Sequence, residues 1–256
     1  MTAGAHAGTA YDIRILTGRN LRVTLGARGI VATIVNPTLF FLAFGLVLRG
    51  LLTANGVDFG QAFPPAIVVL TAGFAAMSSG YALANDRASG MLTRLRTLPI
   101  NTGALLAGRL IADAVQLLGF TAVVLALGYA TGFHLQRGPL GALGFVVLAV
   151  AFGQALALGA AALGLRSRQP EAVGALVFPP FLALLTFSTA LVPLAAFPGW
   201  LQPFVRFSPL TAAVDALRAL STAGQPLTPV WHAAIWILCL AGLFGAAARQ
   251  AWRRAA

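Results

Sequence analysis

Long uncharged stretches broken by short clusters of arginine set the pattern of this chain. Phe59 to Asn85 runs 27 residues without a charge, and Ala114 to Gln136 runs 23. A helix needs roughly 20 apolar residues to cross a hydrocarbon core of about 30 Å. The pattern predicts six spans. The first is Gly29 to Leu48, and the second lies within Gln61 to Ala84, with Pro64 and Pro65 in its first turn. The third runs from Thr102 to Gly132 and the fourth lies within Gly138 to Leu165. The fifth starts near Ala172 and breaks at Pro193, and the sixth is Leu227 to Ala248. Arg49 to Gly60 reads as a polar linker and Arg166 to Glu171 as a short basic link.

Two segments stand apart from the spans. Residues 1–10 are small and polar and read as disordered, whereas Tyr11 to Arg28 suits an interfacial helix with Ile13, Leu16 and Val23 on one side. The tract 193–225 holds Pro193, Pro198, Pro203 and Pro209, too many for one helix interior. It reads as two short helices in or dipping into the outer interface. The fold class expected is all-α, a single polytopic membrane domain over 1–256.

Composition supports this and removes several functions. Of 256 residues, 59% are hydrophobic and 9% charged, against about 25% charged in soluble domains. All 17 basic residues are Arg, and the net charge is +11. Between apolar runs such charge is an orientation signal rather than a nucleic-acid surface. A cytoplasmic N-terminus puts 13 of the 17 arginines inside and leaves Arg49, Arg137, Arg206 and Arg218 outside. That favours six spans in the cytoplasmic membrane with both ends in the cytoplasm. No Lys occurs, so a Walker A loop and a pyridoxal Schiff base are both excluded. Cys239 is alone and cannot form an internal disulfide. His6, His134 and His232 are scattered, so no metal site is expected, and no catalytic motif is visible.

Three clusters are candidate functional residues. Asn85 to Asn101 is a charged island carrying Asp86, Arg87, Arg94 and Arg96 between two spans. Arg109 and Asp113, four apart on one helix face, read either as an interfacial ion pair or as the polar lining of an inner vestibule. In the Pro-rich tract, Trp200, Asp215 and Arg218 stand out, the last two at a spacing that permits pairing. Gly153, Ala157 and Ala161 recur every four residues, a spacing that lets helices approach closely. Tyr129, Trp231 and Trp252 fall near predicted membrane edges, where aromatic anchors sit.

At two places the residues resemble the type-2 ABC export permeases. The island carries that family's acidic-Arg pair, Gly, Arg-Leu turn and Pro as Asp86, Arg87, Gly90, Leu92, Arg94, Leu95 and Pro99. Asp86 replaces the more usual Glu, and Thr93 stands where many members have Glu. The tract before the last span is similar to the family's Pro-x-Trp, Asn-Pro-Leu-Thr and Val-x-Ala-Leu-Arg pattern. It matches through Trp200, Pro209, Leu210, Thr211, Asp215, Ala216, Leu217 and Arg218, with Ser208 for the common Asn. Within the family the chain looks most like actinobacterial daunorubicin- or doxorubicin-resistance-type drug or lipid exporters.

The resemblance implies that 85–101 is a cytoplasmic coupling helix between spans two and three. It also implies that 193–225 is an outer re-entrant hairpin and gate. It implies two ABC ATPase subunits as partners, with ATP and Mg bound there and no cofactor in this chain. A second copy or sister permease would complete the path for an apolar or amphipathic substrate. Two alternatives remain: a stand-alone secondary transporter, or a membrane-embedded enzyme acting on lipids.

Overall fold

The computed structural model describes residues 3–54, 56, 58–91, 102–167 and 169–255. These residues form helices α1 (Ala3–Thr24), α2 (Ala27–Ala54), α3 (Phe59–Ala88), α4 (Thr102–Ala130), α5 (Gly138–Arg166) and α6 (Pro170–Thr186). A 3-10 turn at Leu194–Ala196 follows, then α7 (Gln202–Phe207), α8 (Pro209–Ser221) and α9 (Thr228–Ala255). No strand occurs among the described residues. Leu92, Arg94, Leu95 and Pro99 of the expected coupling helix lie outside them.

Among the described residues, five helices are long and apolar enough to cross a membrane: α2, α3, Leu106–Ala130 of α4, α5, and Thr228–Arg253 of α9. The expected fifth span is α6, an apolar helix of 17 residues, about 25 Å long at 1.5 Å per residue. It stops at Thr186 rather than at Pro193. Beyond it the Ser188 hydroxyl donates to the Leu185 carbonyl at 2.7 Å and accepts from Ala190 N–H. Thr189 N–H turns to the Thr211 hydroxyl on α8. Side chains thus take over backbone groups that another helical turn would have used.

Other boundaries are corrected too. Helix α1 starts at Ala3, so residues 3–10 of the segment read as disordered are helical. Helix α2 continues through Arg49 to Ala54, shortening the expected linker. Helix α3 begins at Phe59, where the Asp58 carboxylate accepts from Gly60 N–H at 3.0 Å as N-cap. That earlier start moves Pro64 and Pro65 into the second turn. At its far end α3 absorbs Asn85, Asp86 and Arg87 of the island.

Helix α3 is the hub, packing against α2, α4, α5, α6 and α8. Its buried face carries Ala66, Ala72, Gly73, Ala75, Ala76, Ser79 and Gly80. Lipid tails are as apolar as leucine, so helices in a membrane gain by close packing of small residues rather than by expelling water. Here the approach is to the backbone: a Cβ on Gly80 would sit 2.6 Å from the Ala160 carbonyl oxygen, and one on Gly164 would strike the Gly80 carbonyl. Gly73 lies under the Phe181 ring. The Gly153–Ala157–Ala161 row packs inside the subunit, with Gly153 on Leu117, Ala157 beside Ala76 and Ala161 in a cluster with Leu83.

The bundle has two ends. At one end, the Asp58 end, the start of α3 meets the α4–α5 loop and the end of α8. At the other, the Asp86 end, α1 and the last turns of α3, α5 and α9 come together around Leu16, Leu83, Leu165 and Trp252. Trp252 is buried there, so it is a packing residue and not a lipid-facing anchor. Tyr129 and Trp231 are exposed, as anchors require. On α1, Leu16 is buried while Val23 is exposed, so the expected apolar side is narrower than its sequence suggested.

The contact of α3 with α5 is expected to tolerate no side chain. Gly80→Val or Gly164→Val should lower stability by about 1–3 kcal/mol through overpacking. Gly174→Val, where a Cβ meets open space, should have little effect. Thermal unfolding of the detergent-purified chain by circular dichroism measures all three.

Candidate functional site

The described part of the island, residues 85–91, is mounted on three helices. The Arg19 guanidinium on α1 donates through Nη2 to Asp86 Oδ1 at 2.6 Å, a pair only partly shielded from solvent. Arg87 donates through Nη1 to the Leu165 carbonyl at the end of α5. One residue on, Arg166 donates to Gln250 Oε1 of α9 at 3.1 Å. Asp86 and Arg87 were both expected to face a motor. The structure shows both bonded within their own subunit, where they position the island. Gly90 follows with φ +71°, its N–H on the Arg87 carbonyl at 3.1 Å, so the chain breaks from the helix there.

A second polar cluster lies inside the bundle between α3 and α4. Arg109 Nε sits 3.1 Å from Asp113 Oδ1, four residues along α4. The Ser79 hydroxyl of α3 donates to Asp113 Oδ2 at 2.6 Å, and Arg109 Nε reaches Ser79 Oγ at 3.3 Å. Asp113 is only 2% exposed. Gln154 of α5 donates to the Leu110 carbonyl at 2.8 Å, while its own Oε1 is buried without a partner. Arg109 and Asp113 therefore pair as expected, and the pair is buried against Ser79 of α3. Ser79 and Gln154 were missed. Gln154 had a visible signal, a lone amide in the middle of a 29-residue apolar helix.

The third cluster ties the Asp58 end together. Gln61 Nε2 donates to the His134 carbonyl at 2.8 Å, and its Oε1 accepts from His134 N–H at 3.2 Å. The same amide reaches the Thr222 hydroxyl, just past the end of α8. Arg137 Nε donates to the Thr222 carbonyl at 3.1 Å. Arg218 donates through Nε to the Ala62 carbonyl at 3.1 Å and through Nη1 to Asp215 Oδ1 at 3.4 Å. Asp215 Oδ1 also accepts from the Thr189 hydroxyl at 2.9 Å. The expected pairing of Asp215 with Arg218 is present, and Thr211 joins through its bond to Thr189. Gln61 was missed, because a single Gln at the edge of a span looks like any polar end residue.

Two cavities flank this region. One of about 490 Å³ lies beside Asp215, walled by Phe207, His232 and Trp236. The other, of about 310 Å³, is apolar and reaches from Gly73 and Pro209 to Arg166. Pro209, the first residue of α8, thus lines the second cavity and not the polar cluster. Trp200 is 73% exposed, so it faces outward with Phe204 and Phe207 and does not join Asp215. Among the described residues no three His, Cys, Asp or Glu side chains gather where a metal could bind.

Five long apolar helices, with ionised side chains paired or confined to the ends, define a multi-pass helical membrane protein. Comparison with known sequences supplies the family. Residues 11–221 match the ABC-2 type transporter family. The chain is 30% identical over 253 residues to the doxorubicin resistance ABC transporter permease protein DrrB of Mycobacterium tuberculosis, covering 90% of this chain and 87% of that one. To the daunorubicin resistance ABC transporter permease protein DrrB1 of Streptomyces coeruleorubidus it is 29% identical over 216 residues, 84% and 75% of the two chains. The chain belongs to the ABC-2 type transporter family. It is a permease, not an enzyme in its own right.

The buried pair yields a test of its own. Removing one partner leaves an uncompensated charge, so Arg109→Leu alone should cost about 3 kcal/mol. Replacing both in Arg109→Leu/Asp113→Leu should recover most of that. Unfolding midpoints of the single and double variants decide it.

Proposed function

We propose that this chain is the transmembrane subunit of an ATP-driven exporter that carries amphipathic drugs or lipids outward across the cytoplasmic membrane. The five long helices and α6 make six passes, with both termini and the Asp86 end in the cytoplasm. Helices α7 and α8 form a hairpin re-entering from outside. In support, Pro209 at the start of α8 lines the same cavity as Gly73, well down α3, and α8 ends beside Gln61 near the tip of that helix. Asp215, Thr211 and Arg218 hold this hairpin against α3 and the end of α6, and Trp200 and Pro209 belong to the same gate.

The motive force comes from outside the chain, which has no Lys for a phosphate loop. Two ABC ATPase subunits bind ATP and Mg and dock on residues 85–101 of two permeases, identical or sister chains. Asp86, Arg87, Gly90, Leu92, Arg94, Leu95 and Pro99 form the coupling element, while the buried pair of Arg109 and Asp113 backs the inner vestibule. One observation carries this reading: Asp86 and Arg87 fasten the island to α1 and α5 as well as to α3. A push on the island would therefore move three helices together.

Two experiments follow. Co-expressed with its cognate ATPase, the wild-type chain should retain the ATPase through purification, and Gly90→Asp/Leu95→Asp should lose it while still inserting as a monodisperse protein. A wild-type chain that binds no ATPase and transports on an ion gradient alone would instead be a secondary transporter. In proteoliposomes, Arg19→Asp or Asp86→Arg should lower transport at least about fivefold with the ATPase still bound, the low end of usual coupling energies. The charge-swapped double variant should recover it. Equal loss in single and double variants would separate the pair from coupling.

A further inference from the structure

We propose that the apolar cavity between α6 and α9 is a binding site for an anionic phospholipid of the bilayer, with an acyl chain in the trough and the phosphate on Arg166. Helices α6 and α9 both lie on α5 but form no packed interface with each other. The gap between them is floored by Gly159 and Ala160 and walled by Val177 and Phe244. It is closed at one end by Leu210 of α8 and reaches Arg166 at the other. From Leu156 to Arg166 along α5 the trough extends about 15 Å. Its volume of about 310 Å³ is at the low end for ligand sites, which run roughly 300–1,000 Å³. A slender chain fits such a space better than a fused-ring drug.

Charge selects the headgroup. Among the described residues, Arg166 is the one charged side chain on the lining. Its hydrogen-bond partner is the neutral amide of Gln250. The ion pairs among the described residues join Arg19 to Asp86, Arg109 to Asp113 and Arg218 to Asp215, so Arg166 keeps its charge for a ligand. Arg249 and Arg253 lie on the last turns of α9, on either side of Gln250. An apolar trough that opens at an arginine complements an acyl chain ending in a headgroup of net negative charge. The same arginine disfavours a cationic amphiphile in this orientation.

The site makes no use of a nucleotide or an ATPase, so its test is independent of the transport reading. The purified full chain is placed in nanodiscs doped with phosphatidylglycerol or phosphatidylcholine carrying the same photoactivatable acyl chain. After illumination, labelled peptides are identified by mass spectrometry. Phosphatidylglycerol should label peptides spanning 156–166 and 240–250 about fivefold more than phosphatidylcholine, as expected for a basic residue near the membrane surface. Arg166→Gln should bring the two lipids level. Ala247→Phe, which fills the trough, should abolish both labels, with helix content unchanged. Equal labelling of the wild type by both lipids would overturn the proposal, as would no label in these peptides. Crosslinks from these peptides to a second copy of the chain would overturn it too, making the face a subunit contact.

Discussion

The backbone contact of α3 with α5 at Gly80 and Gly164 is the constraint on which the rest of this structure depends. In lipid, helices are not driven together by water, and what holds them is the density of contact their side chains permit. Glycine in a helix costs about 1 kcal/mol relative to alanine. The chain accepts that cost where two backbones must touch. Because they touch, the ends of α3 and α5 lie side by side, and Arg87 can reach the Leu165 carbonyl. The same proximity draws Leu16 of α1 and Trp252 of α9 into one cluster with Leu83 and Leu165.

Polar groups are then sorted by depth. At the Asp86 end, arginines hold one carboxylate, one carbonyl and one amide on three helices. In the interior, Asp113 is tolerated because Arg109 and Ser79 satisfy it. At the opposite end, Gln61 and Arg137 stitch the α4–α5 loop to α8. A permease moved by an external motor needs both a stiff place to be pushed and a part that yields. The Asp86 end supplies the stiffness. The hairpin of α7 and α8 is held on a different set of bonds, through Arg218 to the Ala62 carbonyl and through Thr211 and Asp215 to Thr189.

The spans were legible in the sequence because a membrane helix must bury its backbone in apolar side chains, and uncharged runs record that directly. Their ends were less legible. A helix extends past an uncharged run wherever an arginine can reach water, which is how Arg49 and Arg87 came to lie inside α2 and α3. The early stop of α6 was hidden for another reason, since Ser188 and Thr189 find partners through local and long-range bonds that no periodicity signals. The identities of Asp86 and Arg87 were plain, but their partners stand 67 and 78 residues away. The sequence marked them as important without showing the helices they hold. The pair of Arg109 with Asp113 was the easiest to read, since helical spacing alone places the two together.

The central claim is that the island and the ends of α3 and α5 beside it move as one body. In a Cys239→Ser background, which removes the chain's single cysteine, nitroxides at Ser89 and Ser167 report on this directly. The measurement is continuous-wave dipolar broadening with the ATPase bound, without nucleotide and with a non-hydrolysable ATP analogue. The account predicts the same narrow distance distribution in both states. A shift or broadening of that distance when nucleotide binds would contradict it, because the island would then be moving relative to the helices it is said to drive.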